Sequence, residues 1–322
     1  MTVHIRLDGV EKHFTVYRRA GRVRRHKATV SAVSGIDLTI ERGELCGYIG
    51  PNGAGKSTTV KMLTGILTPS AGHIEVAGLD PQRNRVGLAR RIGVVFGQRT
   101  QLWWDLPLIE SFELLRHVYR VPMDRWRHNL DELTDLLDLA PFLPTPVRQL
   151  SLGQRMRGDL TAALLHDPEI LYLDEPTVGL DVVSKARVRE FLARANAERG
   201  VTVLLTTHDL VDVERLCSRL VVIDHGRIIH DGTVAAIKAE HGGDRTVVVD
   251  LAETGPPLEI EGTRVVRVDG PRQWLQFSRS ETTAAAVIAA VAATRPLLDI
   301  SIEEPDIEEV VRRIYAASGA AN

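Results

Sequence analysis

The sequence predicts an α/β core that carries a helical subdomain and is followed by a small α+β domain. Three observations lead there. Short apolar runs recur at residues 45–49, 92–96, 170–173, 201–206 and 220–223, rich in Val, Ile and Leu as strands buried on both faces of a parallel sheet are. Helical patterns, such as 183–196 and 210–217, fall between some of them. Composition then shifts near Gly242-Gly243, with 14 acids against 8 bases from Glu240 onward.

Alternating Val3, Ile5, Leu7 and Ile36, Leu38, Ile40 read as half-buried strands. Between them, residues 18–27 hold six cations and no acid. No aromatic interleaving or periodicity accompanies them, which favours a solvated loop insertion over an anion- or nucleic-acid-binding face. The run at 45–49 ends in a Gly-rich loop, and 56–65 has helical character with a Gly stop. From 101 to 165, Leu114, Leu115, Val118, Leu130, Leu133, Leu136 and Leu137 show helical spacing with no strand-like run, punctuated by Pro122, Pro141, Pro144 and Pro146. Beyond the glycine pair come strands at 246–251, 263–268 and 274–277, a helix at 281–294, a strand near 297–302 and a helix at 306–316. The expected boundaries are 1–241, with a helical subdomain at about 99–165, and 244–322.

With 322 residues, 44% apolar and 25% charged, the chain is long enough for two domains and has an ordinary globular composition. Its net charge of −2 gives no strong field toward nucleic acid or anionic lipid. Cys46 and Cys217 fit neither metal spacing nor a disulfide framework, and read as buried small hydrophobes of a protein from a reducing cytosol. No signal peptide is expected, and the longest nearly uncharged apolar stretch, 282–294, is too short to span a bilayer.

Gly50-Pro51-Asn52-Gly53-Ala54-Gly55-Lys56-Ser57 fits G-x-x-x-x-G-K-[ST] between a predicted strand and a predicted helix. Glycines let backbone N–H groups approach phosphates, the helix start (with Thr58) favours anions, Lys56 reaches the β and γ phosphates and Ser57 offers a hydroxyl to Mg²⁺. Four apolar residues then deliver Asp174 and Glu175 at a strand's carboxyl end, where ligands of open α/β sheets sit. Strand alternation would point the two carboxylates apart, giving them different tasks: Asp174 in the Mg²⁺ shell, Glu175 on the attacking water. Gln98 and His208 follow their own strands at the same sheet edge, Gln98 able to sense metal or water and His208 to contact the γ-phosphate.

Leu150-Ser151-Leu152-Gly153-Gln154, its Ser151 lying 23 residues before Asp174, resembles the signature motif of ABC ATPases, usually LSGGQ. The family's other elements match in order over residues 3–240: Gln98 as the Q-loop glutamine, Asp174 and Glu175 as the Walker B pair, 178–181 ending in Asp181 as the D-loop, and His208 as the switch histidine. Phe14, with Tyr17 as the alternative, takes the place of the aromatic that stacks on adenine. The resemblance implies an ABC-type P-loop nucleotide-binding domain using ATP and Mg²⁺. It also implies a head-to-tail homodimer, in which Ser151, Gly153 and Gln154 of one subunit close over ATP held by the other. Leu152 stands where the family usually has Gly.

Among ABC proteins, a soluble ATPase acting on nucleic acid or the ribosome would show a long coiled-coil insertion or two tandem nucleotide-binding units. This sequence has neither. A transport subunit remains, working with a separate transmembrane permease at the cytoplasmic face of the membrane and needing no nucleic acid. The apolar, aromatic run 102–108, with Trp103 and Trp104, suits a groove for the permease, or internal packing. Residues 302–310, together with Gly97-Gln98 and the tryptophan pair, resemble ATPases of ABC-2 type drug and antibiotic exporters, which implies export.

Overall fold

The computed structural model describes residues 2–20, 24–97, 99–241, 244–278, 281–303 and 306–319, without the side chains of 17–20, 24–27 and 241. Its chain divides into two compact units, Met1–Asp231 and Gly232–Asn322. Gly242-Gly243 lies outside the described residues.

The first unit opens on an antiparallel hairpin of two 18-residue strands, β1 (Val3–Ala20) and β2 (Arg24–Glu41). This corrects the loop expected at 18–27: Arg18 pairs with His26, Arg19 with Arg25 and Ala20 with Arg24. Backbone pairing started by the apolar halves of both strands continues outward along the ladder, which asks for no particular side chain.

Next come β3 (Leu45–Ile49), α1 (Lys56–Leu63), β4 (Ala71–Val76), α2 (Arg85–Ala89) and β5 (Ile92–Phe96). β4 pairs with β1, giving a three-stranded antiparallel sheet of order β2-β1-β4. The helical subdomain follows as α3 (Leu108–Tyr119), α4 (Met123–Leu137), two 3₁₀ turns (Ala140–Phe142 and Val147–Gln149) and α5 (Leu152–Leu164). The chain then returns to the core through β6 (Ile170–Asp174), α6 (Val182–Arg199), β7 (Thr202–Thr206), α7 (Leu210–Leu216), β8 (Arg219–Asp224) and β9 (Arg227–Thr233).

The central sheet runs β5-β6-β7-β3-β8-β9, with every pair from β5 to β8 parallel. All five residues of β3 and of β7 are buried, as their unbroken apolar runs require. Tyr48 and Tyr172 are the largest fully buried side chains of this core. Register sets the function-bearing edge: Asp174 lies beside Phe96 on one flank and Thr206 on the other, so three strands end at one level.

The second unit holds α8 (Val234–His241), β10 (Arg245–Leu251), β11 (Thr263–Asp269), β12 (Arg272–Phe277), α9 (Ala284–Thr294), β13 (Leu297–Glu303) and α10 (Ile307–Ala317). Its four-stranded antiparallel sheet has order β11-β12-β10-β13. Val287 and Val291 of α9 pack with Val247, Val249, Leu275 and Phe277. The helix expected from 281 starts at Ala284 because Thr283 caps it, its side chain accepting from the Ala286 N–H. Among the described residues, no helix is long and apolar enough to cross a membrane.

Candidate functional site

The turn from β3 into α1 leaves the first N–H groups of the helix free of any side-chain cap. Gly55, the residue before the helix, sits at φ +110°, and a Cβ there would come 2.5 Å from the Ala32 carbonyl oxygen. Only glycine allows this path, which is the physical reason for the motif's second glycine. Lys56 is buried, and its Nζ donates to the carbonyls of Gly50 (2.6 Å) and Pro51 (3.1 Å). The ammonium is thereby folded back over the loop. Burial pulls its pKa below the ordinary lysine value, while Glu175 and Asp174 oppose that shift.

At the ends of β6 and β7, Asp174 Oδ1 accepts from Thr206 Oγ1 at 2.5 Å and from Ser57 Oγ at 3.3 Å. Glu175 Oε2 instead lies 3.5 Å from His208 Nδ1. The two carboxylates do face different partners, but strand alternation is not the cause. β6 stops at Asp174, and Glu175 adopts φ +56°, a left-handed conformation that turns its side chain away from the strand's path. Strain of this kind clusters at functional sites.

A cleft of about 900 Å³ opens over this edge. It is lined by Gly50, Asn52, Ser57, Asp174, Glu175 and His208 among the residues singled out in the sequence. Pro51, Lys61, Ile66, Phe96, Gly97 and Arg99 complete it. Gln98 lies outside the described residues, although Gly97 and Arg99 on either side of it line the cleft. Gly53, Ala54, Gly55, Lys56 and Thr58 shape the loop beneath. The oxygen-only set of Ser57 and Asp174 suits a hard divalent cation, which takes few protein ligands when phosphate oxygens supply the rest.

Phe14 is half-buried in β1 opposite Val30, with Lys12 Nζ 5.2 Å from its ring centre, and does not line the cleft. The Tyr17 side chain lies outside the description. The signature segment is also elsewhere. Ser151 caps α5 in a capping box: its Oγ accepts from the Gln154 N–H (3.2 Å), and Gln154 Oε1 accepts from the Ser151 N–H (2.9 Å). The Ser151 hydroxyl proton stays free to donate. Asp181 caps α6 through Ser184, whose Oγ lies 2.7 Å from where a Cβ on Gly153 would be. Leu152, in the family's usual Gly position, lays Cδ2 over Gly179, which at φ +73° presents no side chain. The signature and the 178–181 turn therefore pack together, with Ser151 and Asp181 exposed and none of them lining the cleft of the same chain.

Several residues here carry no signal readable from one sequence. Thr206 aligns Asp174, and Lys185 Nζ holds Asp209, the neighbour of His208, at 2.6 Å. Asp212 is buried and accepts from Thr177 Oγ1 (2.6 Å) and Arg189 Nη1 (2.7 Å), tying the turn after Glu175 to α6 and α7. Asp159 of α5 accepts from Thr100 Oγ1 (2.8 Å) and the Gln101 N–H (3.2 Å), so the signature helix grips the chain just beyond Gln98. Burial pushes the Asp159 carboxyl up to about 6, against those two hydrogen bonds.

Comparison with known proteins follows the same lines. Residues 33–178 match the family model described as ABC transporter. The chain is 37% identical over 311 residues to the daunorubicin resistance ATP-binding protein DrrA3 of Streptomyces coeruleorubidus, covering 95% of this chain and 94% of that one. It is 35% identical over 237 residues to the methionine import ATP-binding protein MetN 2 of Enterococcus faecalis, covering 72% and 66%. A solved dimeric ATP-binding cassette in a post-hydrolysis state with ADP and Pi superposes with a TM-score of 0.61 at 25% identity, over 71% of this chain and 98% of that one. With the phosphate loop, the paired carboxylates and the signature each in place, the chain belongs to the ABC transporter ATP-binding proteins as an ATP hydrolase of their ABC-2 type, drug-resistance-like group.

Proposed function

We propose that this chain powers an ABC-2 type exporter from the cytoplasmic face of the membrane, closing as a head-to-tail dimer on two ATP molecules and moving a separate permease. One observation supports this best. Ser57 and Thr206 converge on Asp174, while Glu175 turns toward His208, all over one phosphate-binding loop. ATP lies with its β and γ phosphates on the 50–57 loop, the α1 N-terminus and Lys56, which swings from the Gly50 and Pro51 carbonyls to the phosphates. Ser57, Asp174 and Gln98 would hold Mg²⁺, which would offset the charge on the phosphates. Glu175 orients the attacking water and takes its proton, and His208 contacts the γ-phosphate from the end of β7. Phe14 or Tyr17 serves the adenine.

The signature residues line no part of the cleft on their own chain, as a donor to a partner's nucleotide requires. Ser151 with its free hydroxyl proton, Gly153 and the α5 N-terminus face the partner's γ-phosphate, with Gln154 bracing Ser151 and Asp181 beside it. The resulting pair of sites is equivalent.

Turnover of purified protein tests the assignment. Glu175→Gln should bind ATP normally and lose on the order of 10²–10⁴-fold in hydrolysis; Lys56→Ala should lose nucleotide affinity itself. Wild-type turnover in the first variant, or unchanged binding in the second, overturns these roles. For coupling, Trp103 and Trp104 are 40% and 50% exposed, and Arg155 stacks 5.6 Å from the Trp104 ring. Alanine at both should cut recovery of the co-expressed permease while leaving basal hydrolysis intact. Undiminished recovery removes this surface from the contact.

A further inference from the structure

The second unit contains a cavity of about 400 Å³ remote in sequence from the phosphate loop, Asp174, Glu175, His208 and the signature, lined by Leu251, Glu253, Gly255, Pro256, Arg295 and Pro296 among others. It forms where the chain leaves β10 and where it leaves α9. Both rims are pinned. Ala252 donates its N–H to the Pro296 carbonyl at 3.0 Å. Gln273, fully buried on β12, holds the loop with both ends of its amide: Oε1 accepts from the Leu258 N–H (2.8 Å), and Nε2 donates to the Pro256 carbonyl (3.0 Å). Two prolines stiffen the walls. The cavity is thus built into the fold rather than left by a loose loop.

Arg295 is the feature that gives it a use. Its guanidinium approaches Gly255 with Nη1 foremost: a Cβ at that position would meet Nη1 first, and would come 2.8 Å from Cζ and 3.0 Å from Nη2. Any larger residue would displace the guanidinium. The side chain is half-buried, yet among the described residues no carboxylate pairs with it, Glu253 in the same wall included. A cation in a cavity wall with no carboxylate partner keeps its donors available to an anionic ligand. A guanidinium presents its donors as a planar fork that matches carboxylate and phosphate oxygens.

We propose that this cavity is a binding site for a small carboxylate- or phosphate-bearing molecule, held by Arg295 against Gly255, which gives the accessory unit a ligand-sensing role separate from the ATP cleft. Titration calorimetry on the full chain tests it, with succinate in one arm and inorganic phosphate in the other. All proteins carry Lys56→Ala, so that phosphate binding at the ATP loop does not interfere. At least one probe should bind the parent and lose about tenfold or more in affinity with Arg295→Ala, as the loss of charge-assisted hydrogen bonds predicts. Arg295→Lys should fall between, and Gly255→Val, which displaces the guanidinium without removing it, should match Arg295→Ala. The responding arm identifies the ligand's anionic group. Failure of both probes to bind the parent, or equal affinity in parent and variants, overturns the proposal. Should Arg295→Ala not fold, unchanged affinity in the Lys and Val variants does so.

Discussion

Thr206 shows how much one hydroxyl does at the cleft. It sits one strand away from Asp174, in register, and donates to the oxygen that also faces Ser57. Hydrogen bonds to charged groups contribute about 1.5–3 kcal/mol. Thr206→Val keeps the shape of a fully buried residue and deletes that donor, leaving Asp174 free to swing. The Mg²⁺ concentration that half-saturates hydrolysis should rise about tenfold or more. A variant that melts earlier but keeps its Mg²⁺ dependence would make Thr206 a packing residue only. The sequence made Asp174 legible, because a carboxylate ending an apolar run is a pattern; Thr206 is one more residue of such a run, and only register reveals it. Glu175 is a similar case. Its identity could be read, but its φ of +56° could not, since alternation along a strand predicts nothing about the residue after the strand stops.

At the scale of elements, α5 links two segments that the proposed function places at the nucleotide. Ser151 starts it, and Asp159, two turns later, grips Thr100 and Gln101 just beyond Gln98. The Asp159 carboxyl is raised from its unfolded value of 3.8 to about 6, so the folded state binds more protons than the unfolded state between those pH values. Stability contributed by this group is therefore present at low pH and declines as pH rises through that window. Asp159→Asn keeps an oxygen to accept both bonds but cannot ionise. Relative to wild type, the variant should gain on the order of 2 kcal/mol in denaturant unfolding as pH is raised from 4 to 7. A difference between the two proteins that does not vary with pH would contradict the buried titration. The helices and strands themselves were largely legible, because apolar runs of strand length and leucines at helical spacing follow directly from burial. The long hairpin was not, since nothing in a run of cations says whether the backbone beneath keeps its partner. The same limit hid β4, α2, β9 and α8, which are short or weakly patterned.

For the whole molecule, the signature residues lie outside the cleft of their own chain, which on the proposed function makes cleft and signature two half-sites. That the Gly-rich loop binds a nucleotide was readable from eight residues. That the signature packs onto the 178–181 turn, with Leu152 covering Gly179, needed the fold. The departure from the usual glycine then has a local explanation, because Leu152 fills space over a residue with no side chain and need not approach phosphate. The proposed composite site joins the two half-sites through a second copy, and sedimentation of the Glu175→Gln protein with ATP and Mg²⁺ measures that most directly. The composite site predicts an ATP-dependent dimer that Ser151→Ala disperses while the variant still binds ATP. A Glu175→Gln protein that stays monomeric with saturating ATP, or a dimer indifferent to Ser151→Ala, would contradict it.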